Sequence, residues 1–85
     1  MSIPSHLINQ LRNIPVRELV HALERDGFTY KRRKHSSRVY RHPDGRRTVI
    51  HYHRPNDTLP IGTLRSVLAG AGWTEDDLKR LGLIR

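Results

Sequence analysis

Cysteine is absent from this chain of 85 residues, and aromatic residues make up only 6% of it. The missing thiols exclude a disulfide framework, a thiolate nucleophile and a thiolate metal site. With 35% hydrophobic residues, the chain can bury one thin core, which is too small to enclose a deep cofactor pocket. No apolar stretch has the length of a membrane span, and the N-terminal residues lack the apolar centre of a signal peptide. We therefore expect one cytoplasmic domain without a membrane anchor or a cofactor.

Acidic residues are also scarce, since 8 Asp and Glu face 16 Lys and Arg, for a formal net charge of +8. The excess is local. Residues 31–47 contain eight Lys or Arg and a single acid, Asp44, whereas the rest of the chain is nearly balanced. Such a concentrated basic segment is typical of a protein that binds a polyanion. The alternative is a solvated hairpin that only keeps a small protein soluble.

Helices are predicted on both sides of this basic segment. Apolar residues recur at helical spacing over residues 16–23, and Gly27 provides a C-terminal stop. A second helix is expected over residues 59–72, and a short third helix begins after the capping residue Thr74.

Three strands are expected between the first two helices, over residues 28–34, 37–42 and 46–53. Pro43-Asp44-Gly45 is a strong turn signal that joins the second and third strands into a hairpin. The register of this hairpin stays open, because the loop length decides whether Val39 or Tyr40 faces the helices.

The predicted order of elements is α-β-β-β-α, followed by a short final helix. In an α+β fold of this order, two helices pack on one face of a three-stranded antiparallel sheet, and the other face is left to solvent or to a partner. This is the architecture of the double-stranded RNA-binding domain. We assign residues 15–85 to this single domain and residues 1–14 to a loose N-terminal arm.

The histidines add possible chemistry to the basic segment. Cleaving RNA without a metal requires a base for the 2′-hydroxyl, an acid for the leaving 5′-oxygen and positive charge around the phosphate. His35 lies among the Lys and Arg side chains, and an imidazole can serve as acid or base near neutral pH. His51 and His53 form a His-x-His pair, which could contact phosphate, pack beside Tyr52 or bind a metal. Because further ligands are missing nearby, no metal site is expected. His42 is interpreted as a turn residue that bonds to the backbone.

Several short motifs resemble those of one family. They are Asp26-Gly27-Phe28, Tyr40-Arg41-His42-Pro43-Asp44-Gly45, Gly62-Thr63-Leu64 and Ala71-Gly72-Trp73. Together they make residues 15–82 similar to the HicA toxins, also called the YcfA-like family. The resemblance implies the toxin of a type II toxin–antitoxin system with a fold like the double-stranded RNA-binding domain. It also implies a metal-independent mRNA interferase that cuts single-stranded mRNA and is neutralised by a HicB-type antitoxin.

One motif departs from the family. HicA proteins carry Gly-Ser-His at the start of the second strand, and the resemblance assigns catalysis to that histidine. Here His35-Ser36-Ser37 occupies the segment, so Ser37 stands at the position of the catalytic histidine. Either His35 serves in its place, or the activity is altered or lost. The candidate catalytic residues are therefore His35 and Ser37. The candidate RNA-binding residues surround them: Lys31, Arg32, Arg33, Lys34, Ser36, Arg38, Arg41, Arg46 and Arg47.

Two functions other than RNA cleavage stay open. A non-catalytic module on the same fold would bind RNA or DNA with a steep salt dependence and never cut it. A structural module would instead use its basic face to dock an acidic protein. For the tyrosines that lie among the charges, we favour packing in the core over stacking on bases. Trp73 is also predicted to pack in the core. The three tyrosines concerned are Tyr30, Tyr40 and Tyr52.

Overall fold

A computed structural model describes residues 3–34 and 37–84 of the chain. It confirms the predicted α+β order and the antiparallel three-stranded sheet. Within the described part of the chain, no helix is both long and apolar enough to cross a membrane. The elements are α1 Ser5–Leu11, α2 Val16–Asp26, β1 Thr29–Lys34, β2 Ser37–Arg41, β3 Arg47–His51, α3 Ile61–Ala71 and α4 Glu75–Arg80.

The N-terminal segment differs from the expected loose arm, because α1 packs on the rest of the molecule. Leu7, Ile8 and Leu11 are buried in the same hydrophobic cluster as the residues of α2 and α3. The Arg65 guanidinium of α3 also donates a hydrogen bond of 3.3 Å to the Ser5 hydroxyl. Three apolar residues on one side of a seven-residue helix are a weak signal by themselves, and only the contact with α3 makes their burial evident.

Helices α2 and α3 have the predicted apolar faces and stops. In α2, Val16, Leu19 and Leu23 are fully buried. Gly27 ends α2 in the left-handed conformation with φ of 104°, a conformation that glycine adopts without steric cost. Pro15 and Pro60 occupy the N-cap positions of α2 and α3.

The sheet has the strand order β1-β2-β3, and its register identifies the face that meets the helices. The buried Thr48 hydroxyl on β3 donates a hydrogen bond of 3.0 Å to the Val67 carbonyl of α3. Thr48 is paired with Tyr40 on β2, so both side chains point to this inner face. Tyr40 and Ile50 belong to the core cluster. The open choice between Val39 and Tyr40 is thereby settled in favour of Tyr40.

Asp26 connects the ends of several elements at one edge of the core. Its side chain is 7% exposed and accepts hydrogen bonds from Trp73 Nε1 at 2.8 Å, Arg46 at 3.1 Å and Arg80 at 2.7 Å. Burial alone would raise the pKa of Asp26, but these hydrogen bonds and the two guanidinium charges outweigh burial and lower the pKa below its usual value. Trp73 is 2% exposed, which confirms its predicted place in the core.

Candidate nucleic-acid interface

The second face of the sheet, which we call the outer face, is formed by alternate residues of β2 and β3. Side chains of successive strand residues point to opposite sides, so the neighbours of the inward Thr48 and Tyr40 point outward. The register pairs these outward residues across the two strands: Ser37 with His51, Val39 with Val49, and Arg41 with Arg47. On β1, Thr29 is paired with Arg41 and Arg32 with Val39. The outer face therefore has a valine pair at its centre and polar or basic residues at both ends.

Three exposed arginines give the outer face its positive charge: Arg32, Arg41 and Arg47. Arg41 and Arg47 are direct cross-strand neighbours, an arrangement that is unfavourable for two like charges in an isolated sheet. A bound polyanion would remove this repulsion, because phosphates placed between the guanidinium groups are attracted by both. The local geometry thus favours an anionic ligand along this face.

Other members of the basic segment lie elsewhere. Arg38 points inward, where its guanidinium lies 4.1 Å from the centre of the Tyr52 ring and donates a hydrogen bond of 3.2 Å to the Tyr52 carbonyl. Arg46 is bound to Asp44 at 2.8 Å, to Asp26 and to the Ala71 carbonyl at 2.7 Å. These two arginines therefore stabilise the fold, and the basic segment is divided between two sides of the sheet.

The structure describes some of the remaining predicted RNA-binding residues. Lys31 is exposed at an irregularity in the β1–β2 register between Tyr30 and Arg32, and Arg33 is exposed and paired with Arg38. The Lys34 backbone pairs with Ser37 at the end of the ladder. The predictions for His35 and Ser36, and for the Lys34 side chain, lie outside the described residues.

Ser37 and two histidines form a group at the end of the outer face where β2 begins. Ser37 Oγ lies 2.9 Å from His51 Nδ1, a hydrogen bond in which the tautomer decides which atom donates. The ring centroids of His51 and His53 are 6.0 Å apart, and the two rings meet edge to face. Both histidines are exposed. The His-x-His pair had been assigned to phosphate contact, packing or a metal, and its contact with Ser37 was missed because the register was unknown.

His42 has a structural role, as the sequence predicted. Its Nε2 lies 2.8 Å from the Asp26 carbonyl oxygen, and because a carbonyl can only accept, Nε2 is the donor. Its Nδ1 accepts a hydrogen bond of 3.1 Å from the Asp44 amide in the β2–β3 turn. The imidazole therefore joins the turn to the end of α2 and lies apart from the outer face.

The tyrosines differ in their surroundings. Tyr40 is 4% exposed, and burial raises the pKa of its phenol to about 12. Tyr52 is partly buried and packs against the core. Tyr30 is 47% exposed at the β1 edge, where its ring meets that of Tyr40 at 5.7 Å. Core packing thus accounts for Tyr40 and Tyr52, and Tyr30 is exposed enough for a ligand to reach it.

A search for metal ligands gives no candidate site. Over residues 3–34 and 37–84, no three His, Asp or Glu side chains are grouped so that they could hold an ion. His51 and His53 lack a third ligand among these residues, and zinc requires three or four protein ligands.

Comparison with known proteins identifies the family. A family model described as the HicA toxin of bacterial toxin–antitoxin systems matches residues 16–73, more than half of the chain. The match begins with α2 and ends at Trp73, so it includes the whole sheet and α3. A search of curated proteins gives no significant match.

Proposed function

Because the chain belongs to the HicA toxin family of bacterial toxin–antitoxin systems, we propose that it is an endoribonuclease. In this proposal it cuts single-stranded mRNA without a metal, and a HicB-type antitoxin neutralises it. The observation that supports the proposal best is the outer face of the sheet, which presents Arg32, Arg41 and Arg47 on the same side as the Ser37–His51 pair.

The outer face is long enough to bind a short segment of single-stranded RNA. Ser37 and Arg41 lie four residues apart on β2, which corresponds to about 13 Å along an extended strand. A single RNA strand laid across the sheet would thus meet the arginine pair at one end and the imidazoles at the other. Phosphates would bind the guanidinium groups through charge-assisted hydrogen bonds.

The chemistry needs a proton acceptor, a proton donor and positive charge at one phosphate. The resemblance would assign the reactive histidine to position 37, where this chain has serine. A serine hydroxyl does not transfer protons near neutral pH, so another imidazole must act. His35, two residues away in the chain, is the candidate that the sequence offers for this role, and His51 on β3 is the candidate that lies beside Ser37.

The antitoxin is expected to cover the same surface. A strongly basic face attracts a partner that carries complementary Asp and Glu side chains, and such charges also speed association. A partner that occupies the outer face would exclude RNA directly. We therefore propose that the HicB-type protein inhibits by competition for Arg41 and Arg47.

A non-catalytic RNA-binding module is the second candidate function, and Ser37 favours it. A chain that keeps the basic face but has serine at the reactive position would bind RNA without cutting it. In that case the protein would be a catalytically impaired member of the family, and its effect on growth would depend on binding alone.

A cleavage assay in EDTA separates the two functions. Purified protein is incubated with an end-labelled single-stranded RNA, and fragments are resolved on a gel. Appearance of fragments supports the endoribonuclease, whereas salt-dependent binding without fragments supports the binding module. Induction in cells adds an independent readout, because the toxin should arrest growth and a co-expressed acidic antitoxin should restore it. Absence of cleavage, RNA binding and growth arrest would contradict both functions.

A further inference from the structure

We propose that His51 is the catalytic base of this ribonuclease, that His53 is the catalytic acid, and that Ser37 positions the His51 ring. The inference rests on the proposed endoribonuclease function and deepens it. It assigns the two proton transfers to His51 and His53, at the end of β3, instead of to a histidine on β2. It is based on the group formed by Ser37, His51 and His53 at the end of the outer face where β2 begins.

The first step is the orientation of His51. Its Nδ1 lies 2.9 Å from Ser37 Oγ, and a hydroxyl can accept as well as donate. When Nδ1–H donates to Ser37 Oγ, the proton is held on Nδ1 and the lone pair is on Nε2. A base must present such a lone pair to the substrate, and a hydrogen bond to the other ring nitrogen is the usual way to fix this tautomer. Ser37 is thus a positioning residue.

The second step is the presence of another imidazole at a suitable distance. The ring centroid of His53 is 6.0 Å from that of His51, and both rings are exposed. Cleavage by a 2′-hydroxyl needs two proton transfers at oxygens on opposite sides of one phosphorus atom. Because the two rings are in edge-to-face contact, each imidazole can reach one of the two oxygens of the same phosphate.

The third step is the electrostatic setting. Arg32 on β1 is paired with Val39 on β2, so its backbone is about 7 Å along the strand direction and one strand away from Ser37, and two strands away from His51. A long guanidinium side chain can cover this distance on the outer face. Positive charge beside the phosphate stabilises the additional negative charge that builds up in the transition state.

The reaction balances with these residues alone. His51 Nε2 takes the proton of the 2′-hydroxyl as the 2′-oxygen forms a bond to phosphorus. The bond between phosphorus and the 5′-oxygen breaks, and protonated His53 gives its proton to that oxygen. The products are a 2′,3′-cyclic phosphate and a 5′-hydroxyl end, with one proton gained by His51 and one lost by His53.

Single-turnover cleavage of a labelled RNA by the full chain tests the proposal, with variants His51→Ala, His53→Ala and His35→Ala. His21→Ala, an exposed position on α2, is the matched control. We expect the His51 and His53 variants to cut about 10²–10⁴-fold more slowly, the range typical of a lost acid or base, while His21→Ala cuts normally. Thermal unfolding should stay nearly unchanged in the His51 and His53 variants, because both rings are exposed.

Two further substrates and variants separate the roles. A substrate with sulfur in place of the 5′-oxygen has a leaving group that needs no acid, so it should restore cleavage by His53→Ala and leave His51→Ala slow. Ser37→Ala should lower kcat several-fold at unchanged KM, and Ser37→Thr, which keeps the hydroxyl, should restore it. A purely structural hydroxyl would change unfolding rather than kcat.

The outcomes distinguish this inference from the function on which it rests. If the wild type cuts RNA and His51→Ala cuts equally fast, the inference is wrong and the endoribonuclease stands. If only His35→Ala is slow, the base lies at residue 35 and the inference is likewise overturned. If the wild type never cuts RNA, both the inference and the proposed function fail.

Discussion

Ser37 on β2 and His51 on β3 are direct cross-strand partners, and their side chains are joined by a hydrogen bond of 2.9 Å. The two residues are 14 positions apart in the sequence. The position that the HicA resemblance gives to a catalytic histidine thus faces a histidine on the neighbouring strand. An imidazole is present at this place in the fold although the family motif has lost its own.

Ser37→His should increase the rate of RNA cleavage. The substitution places a second imidazole beside His51 on the outer face, and a ring nitrogen of this imidazole can accept the hydrogen bond from His51 Nδ1–H in place of the Ser37 hydroxyl. We expect at least about a tenfold rise in single-turnover rate, the low end of what a positioned acid or base contributes. Ser66→His, an exposed position on α3, is the matched control and should not change the rate. An unchanged or lower rate for Ser37→His would contradict a reactive centre at this end of the sheet.

Arg41→Gln and Arg47→Gln should each weaken RNA binding. Both arginines are exposed cross-strand neighbours on the outer face, so each is expected to neutralise about one phosphate. Fluorescence anisotropy with a labelled RNA at several salt concentrations should show lower affinity and a salt slope reduced by about one per substitution.

Lys79→Gln is the charge-matched control for these arginines. Lys79 lies on α4, where its side chain is 51% exposed and forms an ion pair of 3.4 Å with Glu75. Its loss should leave the salt slope unchanged. Equal effects of Lys79→Gln and Arg41→Gln would indicate that RNA binding follows net charge and has no defined site on the outer face.

The sequence was sufficient for the sheet and for the helices that follow the N-terminal segment, but insufficient for α1 and for the site. Periodic apolar residues and Gly27 determine α2 through local rules, and the Pro43-Asp44-Gly45 turn correctly predicted the hairpin. The contact between Ser37 and His51 depends on the register, which in turn depends on which side chains fit against α3. The ion pair of Arg46 could not be predicted from the sequence either, because its partner Asp26 lies 20 positions earlier in the chain.

Asp26→Asn should destabilise the fold. The substitution leaves the partly buried Arg46 and the exposed Arg80 without their common carboxylate, and presents an amide to donors that need acceptors. We expect a loss of about 2 kcal/mol in the free energy of unfolding, less than for a fully buried pair because Arg80 is 52% exposed. Urea denaturation measures it, with Asp76→Asn in the exposed first turn of α4 as a control expected to lose under about 1 kcal/mol.

The contribution of Asp26 to the free energy of unfolding should decrease as the pH falls. The pKa of this carboxyl is lower in the folded protein than its ordinary value of 3.8, so its stabilising contribution is complete above that value. The contribution is lost as the pH falls through the lower folded pKa. Wild type and Asp26→Asn should therefore differ most in unfolding free energy near neutral pH and converge below about pH 4. A difference that grows on acidification would contradict the assignment.

Gly70→Ala and Gly62→Ala should have opposite effects, although both glycines lie in α3. A Cβ at residue 70 would lie 2.7 Å from the Arg47 carbonyl oxygen and 2.9 Å from Thr48 Oγ1, whereas a Cβ at residue 62 would meet no atom within 4 Å. We expect Gly70→Ala to destabilise by about 1–3 kcal/mol because α3 must move away from β3. Gly62→Ala should be neutral or stabilising by up to about 1 kcal/mol, owing to the higher helix propensity of alanine. Thermal unfolding of both variants measures the contrast, and equal destabilisation would contradict the close contact.

The central claim is that RNA binds to the outer face of the sheet, and amide chemical shifts test it most directly. The isotope-labelled protein is titrated with a single-stranded RNA whose 2′-hydroxyls are methylated, so that the ligand binds but cannot be cut. We expect the largest shift changes on the outward residues of β2 and β3, from Arg41 and Arg47 to Ser37 and His51. Changes that instead cluster on α2 and α4, with the outer face unaffected, would contradict it.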